Sequence, residues 1–400
     1  MEFCLNHFLS AISFALDYVE HDVFGVELNH GKRVAYNAGL IGRKLGFNQD
    51  DLFDLIALAI LHDNGLGEFM SQKKIQPGLT NYEIIKGHCI VGEHNIKKYP
   101  LIKDEKNIIL YHHEKLNGTG FFHIAGNDIP LKAQIIGFAD YIDTHFNAAK
   151  LYGAYKDEAV SHIMKIRGKE YSEEICDGFF SIMQPVSYRL DQDNKNIDDC
   201  VQKSLPPRVI NLSYAEIREI TEVLSNIIDA KSKFTERHSR GLAEKADIMA
   251  KFYAYSDEQR TKLVIAADLH DLGKLLIPNT ILEANRALNE DEIAQIQSHT
   301  YYTRKVLSQI DGFQDITEWA ANHHEKLNGA GYPYGKTARE LDFNSRLMGC
   351  LDIYQALTED RPYRKGMNHS KAIKIMSDMA ANRLIEPVIV ADVNKIFLNS

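Results

Sequence analysis

The chain contains the same heptapeptide twice, HHEKLNG, at residues 112–118 and 323–329. Walking outward from each copy, histidines and aspartates recur in the same order at nearly the same spacing. His30 pairs with His238, His62-Asp63 with His270-Asp271, His88 with His299, and Asp140 with Asp352. The offset drifts only from 208 residues at the first histidine to 212 at the last aspartate. The sequence is therefore a tandem duplication, and both halves must adopt one fold.

The boundary between the two copies is predicted near residue 205. The polar run DQDNKNIDDC, residues 191–200, and Pro206-Pro207 look like connector. Elsewhere apolar residues recur every three to four positions, as in LFDLIALAILHD and KAIKIMSDMA, and β-alternation is short. We therefore predict an all-α fold of two tandem helical bundles, residues 1–205 and 206–400, that pack on one another.

Composition narrows the function classes. A net charge of −9 argues against binding of polymeric nucleic acid, which needs broad basic surfaces, but permits a small anion in a locally positive pocket. The five cysteines form no C-x-x-C pair, so neither a disulfide framework nor a zinc finger is indicated and a cytoplasmic location is expected. No apolar run approaches the roughly 18 residues of a membrane span. The apolar N-terminus has helical spacing and is predicted to be a packed amphipathic helix, not a signal peptide.

The repeated histidines and aspartates have the chemistry of metal ligands. A single buried histidine is more often a hydrogen-bonded core residue, but a set repeated twice in the same order favours metal binding. Imidazole and carboxylate without thiolate suit Mn, Fe, Ni or Zn, and we expect the first three rather than zinc. Adjacent pairs such as His270-Asp271 and His323-His324 can serve two ions at once, with an aspartate bridging them.

The second half resembles a known family. The runs LHDLGKLLIPNTIL (269–282), HHEKLNGAGYP (323–333) and LDIYQALTEDRPYR (351–364), with His299 between the first two, are similar to the HD-GYP subclass of the HD phosphohydrolase superfamily. The resemblance covers about residues 212–380 and implies an all-helical HD-type domain with two or three metal ions that hydrolyses cyclic dinucleotides, above all cyclic di-GMP. It implies metal ligands at His238, His270, Asp271, His299, His323, His324 and Asp352. Asp271 would bridge the ions, and Lys274 would bind the scissile phosphate.

The resemblance also implies a substrate-binding rim. Gly331, Tyr332 and Pro333 would shape it, although a plain tight turn would explain the same residues. Arg361, Tyr363 and Arg364 suit phosphates and bases, or else form a solvated helix end. Two departures stand out. Asn328 replaces the family's aspartate, and Phe234 stands where three-metal members carry a glutamate, so we expect two ions.

The first half keeps every candidate ligand but loses other site residues. Leu66 stands in place of Lys274, and Phe121-Phe122 replace Tyr332-Pro333, where they would crowd or close the mouth of a purine site. We predict a degenerate HD-type domain with a regulatory or scaffolding role. Its histidines and aspartates form either a vestigial metal site or a packed core: His30, His62, Asp63, His88, His112, His113 and Asp140.

The sequence thus predicts a metal-dependent phosphodiesterase that opens a 3′–5′ bond of a cyclic dinucleotide to give a linear dinucleotide, with its catalytic HD-GYP domain in residues 206–400. The substrate can be 3′,3′-cyclic GMP-AMP or cyclic di-GMP. Two alternatives stay open: an HD-type nucleotidase acting on phosphomonoesters, and a receptor that binds a cyclic dinucleotide without cutting it. A homodimer is also left open.

Overall fold

The computed structural model describes residues 1–73, 80–231, 238–360 and 365–398. It divides the chain into two units, which we call the first unit (Cys4–Val209) and the second unit (Met1–Phe3 with Ile210–Ser400). Helices make up nearly all of the regular structure in the described residues, so the all-α prediction is confirmed. Two short strands, β1 (Glu2–Cys4) and β2 (Val209–Asn211), pair with each other.

The first unit is built around the helix that begins with His30. Its helices are α1 (Leu5–Phe24), α2 (His30–Lys44), α3 (Gln49–Ile60), α4 (Leu66–Lys73), α5 (Asn81–Asn95), α6 (Leu131–Phe146), α7 (Gly153–Ile166), α8 (Glu173–Ile182), α9 (Val186–Asp191) and α10 (Ile197–Ser204). Helix α2 packs on α1, α3, α6, α8 and α10. As predicted, α1 is amphipathic, and its residues Phe8, Ile12 and Leu16 are buried.

The run 191–200, which was predicted to be connector, is partly helical. Its last four residues form the start of α10, because Ile197 and Val201 are buried and the helix packs on α2. Lys32 of α2 also pairs with Asp198 at 2.6 Å. The run was predicted to be connector because most of its residues are polar. Ile197 and Val201, four positions apart, are nevertheless enough to form one buried helical face.

The second unit repeats the arrangement. Its helices are α11 (Tyr214–Ala230), α12 (His238–Phe252), α13 (Asp257–Leu269), α14 (Asn279–Leu282), α15 (Glu290–Leu307), α16 (Gln314–Ala321), α17 (Phe343–Thr358), α18 (His369–Ala381) and α19 (Pro387–Ile396). Helix α13 packs on α11, α12 and α16, and its residues Leu263 to Leu269 are all buried. It begins at a capping box in which Ser256 and Gln259 bond to each other's backbone N–H groups.

Several predicted residues lie outside the described residues: Phe234, Arg361, Tyr363 and Arg364. Among the helices that the structure describes, none has the length and apolar character needed to cross a membrane.

Candidate metal centres

The predicted ligands of the second unit come together from five helices. They lie at helix ends and on inward faces: His238 begins α12, His270 and Asp271 follow α13, His299 lies on α15, His323 and His324 follow α16, and Asp352 lies on α17. All are buried except His324, whose side chain is 28% exposed. The site is therefore a deep centre with one ligand facing its mouth.

The ligand atoms form two groups with Asp271 between them. One group is His238, His270 and Asp352, the other is His299, His323 and His324, and the ligand atoms in each lie within 4.8 Å of one another. Oδ2 of Asp271 lies 3.2 Å from Nε2 of His270, whereas its Oδ1 lies 3.4 Å from Nε2 of His299. The two oxygens of one carboxylate thus face two ligand groups, as a bridge between two ions requires.

The backbone aims the imidazoles at this centre. In His270, His299 and His323, Nδ1 lies 2.6–2.8 Å from the carbonyl oxygen three residues earlier. A carbonyl oxygen can only accept, so Nδ1 carries the hydrogen and Nε2 offers its lone pair. Nε2 of His270 and Oδ1 of Asp271 are buried and have no hydrogen-bond partner among the described residues. Buried acceptors left unpartnered are costly, and a bound cation would satisfy both.

His238 is aimed by a carboxylate instead. Its Nε2 lies 3.0 Å from Oδ1 of Asp352, and its Nδ1 lies 3.0 Å from Oε2 of Glu359. Burial alone would lower the pKa of His238, but the hydrogen bonds to Asp352 and Glu359 raise that pKa to about 9. Glu359 was missed in the sequence, although it stands two helical turns after Asp352.

Lys274 reaches the centre from a short 3₁₀ helix, Leu272–Leu276. Its Nζ lies 2.5 Å from Oδ2 of Asp271, and its side chain is 22% exposed. The 3₁₀ helix lies so close to α15 that a Cβ on Gly273 would be 2.0 Å from the carbonyl oxygen of His299. Glycine is therefore required there, and this close approach presents Lys274 beside the bridging carboxylate.

The glutamate of the heptapeptide holds the loop that follows it. Glu325 is buried, and its two oxygens accept hydrogen bonds from the backbone N–H groups of Tyr334 and Lys336, each at 2.9 Å. A Cβ on Gly331 would lie 2.4 Å from Cα of Glu325, so the loop passes where only glycine fits. The ring of Tyr332 is thereby held 4.9 Å from the ring of His324.

The first unit uses its glutamate in the same way. Glu114 accepts hydrogen bonds from the backbone N–H groups of Phe122 and Ile124, each at 2.8 Å. The duplicated heptapeptide is thus a pair of histidines followed by a loop anchor. The two histidines were predicted from the sequence, whereas the anchoring glutamate was not, since its hydrogen bonds run to backbone groups eight to eleven residues away.

The seven candidate ligands of the first unit also come together. Oδ1 of Asp63 lies 3.0 Å from Nε2 of His88, and its Oδ2 lies 3.5 Å from Nε2 of His62. Asp140 lies 3.2 Å from Nε2 of His30 and 3.5 Å from Nδ1 of His113. Unpartnered buried atoms recur as well, on His62, Asp63 and His112. The geometry fits a metal centre better than a packed core, whose polar atoms would be paired.

The first centre differs from the second in its lining. Leu66 is fully buried in place of Lys274. Cys89 occupies the position of Thr300, with Sγ 3.6 Å from Nε2 of His88. Burial would raise the pKa of this thiol, but His88 and His112 lower it to about 7.

A cavity leads to the first centre, so the two phenylalanines do not close its mouth. A cavity of about 470 Å³ reaches His30, Asp63 and Asp140 and is lined by Phe121. Phe122 turns away from it and packs near Tyr111, with ring centroids 5.7 Å apart. Only one of the two phenylalanines therefore narrows the site.

Comparisons with known proteins agree with this organisation. Two family models, each described as an HD domain, match residues 28–145 and 222–389. The 3′3′-cGAMP-specific phosphodiesterase 1 of Vibrio cholerae is 29% identical over 91% of this chain and 85% of its own length. The 3′3′-cGAMP-specific phosphodiesterase 3 of the same organism is 32% identical over 63% of this chain and 54% of its own length.

The fold is shared with a solved structure. A crystal structure of a cyclic GMP-AMP specific phosphodiesterase of V. cholerae (V-cGAP3) matches with a TM-score of 0.70 and 24% identity, over 100% of this chain and 99% of the other. HD domains are metal-dependent, and each half holds candidate metal-binding groups. The resemblance drawn from the motifs is thus confirmed: the chain belongs to the HD-domain family, as a tandem of two HD domains of which the second carries the HD-GYP motifs.

Proposed function

We propose that this chain is a metal-dependent phosphodiesterase that hydrolyses a 3′–5′ bond of a cyclic dinucleotide to a linear dinucleotide. The observation that carries the proposal is the position of Asp271 between two ligand groups with Lys274 beside it. Two relatives named as 3′3′-cGAMP-specific phosphodiesterases make 3′,3′-cyclic GMP-AMP the first candidate substrate. Cyclic di-GMP is the second, because the HD-GYP motifs imply it.

Two divalent ions, of Mn, Fe or Ni, would be held by the second unit, one in each ligand group, with Asp271 shared between them. Imidazole nitrogen with carboxylate oxygen is the donor set that supports this choice. When bound, the ions would polarise the phosphoryl oxygens and lower the pKa of the attacking water. The proposed ligands are His238, His270, Asp271, His299, His323, His324 and Asp352.

The remaining steps fall to protein groups. The Lys274 ammonium binds a non-bridging oxygen of the scissile phosphate and offsets the charge that builds up there as the bond breaks. Tyr332, half-buried at the loop after the heptapeptide, offers an aromatic face to a base. Gly331 and Pro333 shape this rim, and we propose phosphate and base contacts for Arg361, Tyr363 and Arg364.

For the first half, residues 1–205, we propose a metal-binding domain with little or no turnover and a regulatory or scaffolding role. Its ligand geometry supports metal binding, while buried Leu66 offers no charge to a phosphate. The five free cysteines favour a reducing compartment, and we propose the cytoplasm. Packing of the two halves on one another and a homodimer stay predictions.

Changing both His62 and Asp63 to alanine in the full-length chain should leave hydrolysis of the cyclic dinucleotide intact, because the second unit carries its own lysine and ligands. Metal content should fall by the share of the first unit. Product chromatography and elemental analysis on the same sample measure both. A folded double variant without activity would show that the first centre is catalytic.

The proposed activity is tested with protein purified without oxygen and analysed for metal. It is assayed against 3′,3′-cyclic GMP-AMP, cyclic di-GMP and nucleoside monophosphates, with separation of the products. We expect a linear dinucleotide from at least one cyclic substrate. Release of inorganic phosphate from monophosphates alone would favour a nucleotidase. Binding of a cyclic dinucleotide by metal-loaded protein without turnover would favour a receptor.

A further inference from the structure

Helix α1 places a further carboxylate, in addition to Asp63 and Asp140, next to the first centre. Glu20 lies on the inward face of this helix and is 1% exposed. A Cβ on Gly31 would lie 3.5 and 3.7 Å from its two oxygens, so the carboxylate rests against the first turn of α2, next to His30. Both Glu20 oxygens lack a hydrogen-bond partner among the described residues.

The surroundings of Glu20 are negatively charged. The carboxylates of Asp63, Asp17 and Asp140 lie close enough to act on Glu20 electrostatically, as does His30. Within the described part of the chain, no lysine or arginine pairs with Asp63, Asp140 or Glu20. A buried carboxylate without a partner is strongly destabilising, and a protonated one would still need an acceptor for its hydrogen. A bound cation would satisfy both oxygens.

The neighbouring Asp17 shows what a structural carboxylate looks like in this helix. Its Oδ1 accepts a hydrogen bond from the backbone N–H of Gly31 at 3.0 Å. In the second unit Asp229 accepts the equivalent bond from the backbone N–H of Ser239 at 3.2 Å. Counting from these two aspartates, Glu20 aligns with Ser232, which lies outside the described residues and carries no carboxylate. Glu20 is therefore particular to the first half.

The first centre therefore carries more negative charge than the second. Relative to the second centre it has lost the lysine, since Leu66 replaces Lys274, and it has gained the carboxylate of Glu20. Both changes favour a cation. Carboxylate oxygens favour hard divalent ions such as Mn²⁺.

We propose that Glu20 is a metal ligand of the first unit and that it helps to hold a hard divalent cation beside His30 and Asp63. The proposal rests on metal binding by the first centre and not on hydrolysis by the second. The first half thereby holds its ion with a carboxylate that the duplicated motifs do not contain.

The test compares Mn²⁺ binding by full-length proteins that share an Asp271→Ala change, which removes the proposed bridge of the second unit. Glu20→Gln should weaken Mn²⁺ binding by at least about tenfold in equilibrium dialysis with elemental analysis. The matched control is Asp17→Asn, one helical turn earlier, whose amide oxygen can still accept from Gly31. It should leave the Mn²⁺ affinity unchanged.

Thermal unfolding supplies a second readout. The rise in unfolding temperature on adding Mn²⁺ should be smaller for Glu20→Gln than for its parent. Equal Mn²⁺ affinity and an equal rise would overturn the proposal.

If Glu20→Gln does not fold, Glu20→Asp keeps the charge but withdraws the carboxylate by one methylene, and unchanged Mn²⁺ affinity in that variant would also overturn the proposal. Failure of the proposed function would appear separately, in the hydrolysis assay of the unchanged protein, because Glu20 is judged only on the difference in Mn²⁺ affinity between proteins that share the Asp271→Ala background.

Discussion

Changing Asp271 to alanine is expected to abolish hydrolysis of cyclic dinucleotides and to lower the metal content of the protein. The two oxygens of this side chain face His270 on one side and His299 on the other, at 3.2 and 3.4 Å. Its loss would leave neither ligand group with a shared carboxylate, so both ions would bind more weakly. Product chromatography and elemental analysis of one preparation measure the two effects together.

The duplication supplies the control for this experiment. Asp63 occupies the same place in the first unit, 3.0 Å from His88 and 3.5 Å from His62. Asp63→Ala removes a carboxylate of the same kind but should leave hydrolysis intact. Full activity in Asp271→Ala would contradict the metal mechanism.

The second large effect is expected for Lys274→Ala, which should slow turnover by about 10²- to 10³-fold. The proposed partner of this ammonium is the phosphate, so the metal content should stay close to that of the unchanged protein. The variant therefore separates two roles that Asp271→Ala removes together. Turnover under saturating substrate, with the bound metal counted on the same sample, is the measurement.

Lys274→Arg is the conservative control for Lys274→Ala. It keeps the positive charge but replaces a compact ammonium by a planar, larger group, and should recover part of the rate. If Lys274→Ala loses metal in proportion to rate, the lysine serves mainly to hold Asp271. Unchanged turnover would remove Lys274 from the catalytic site.

The sequence predicted the features that follow from periodicity and repetition. The spacing of apolar residues predicted the helices. The repeated order of histidines and aspartates predicted that the same candidate ligands would come together in each unit. The helical part at the end of the run 191–200 was missed, because Ile197 is the only aliphatic residue in the run and Val201, the other buried residue of α10, lies just beyond it.

Four carboxylates near the two centres were missed for a different reason. Glu114 and Glu325 bond to backbone groups, which leave no trace in residue identities. Glu359 has no counterpart at the same position in the other half, where Asp143 bonds to Nδ1 of His30 at 2.8 Å instead. Glu20 is brought to its centre by the packing of α1 on α2. Aligning the two halves reveals only the residues that they share, whereas the contacts of these four carboxylates depend on the tertiary structure.

The backbone hydrogen bonds of the imidazoles bear on how the two halves diverged. In both units, three histidines are oriented by carbonyl oxygens of their own helical turns. The orientation of these imidazole rings is therefore kept when most of the surrounding side chains are substituted. After duplication, one copy could drift at the positions of Lys274 and Tyr332 without disturbing its ligands. Loss of turnover and loss of metal would thus be separate events in this architecture, and a copy released from catalysis would keep a preformed cation site for a new role.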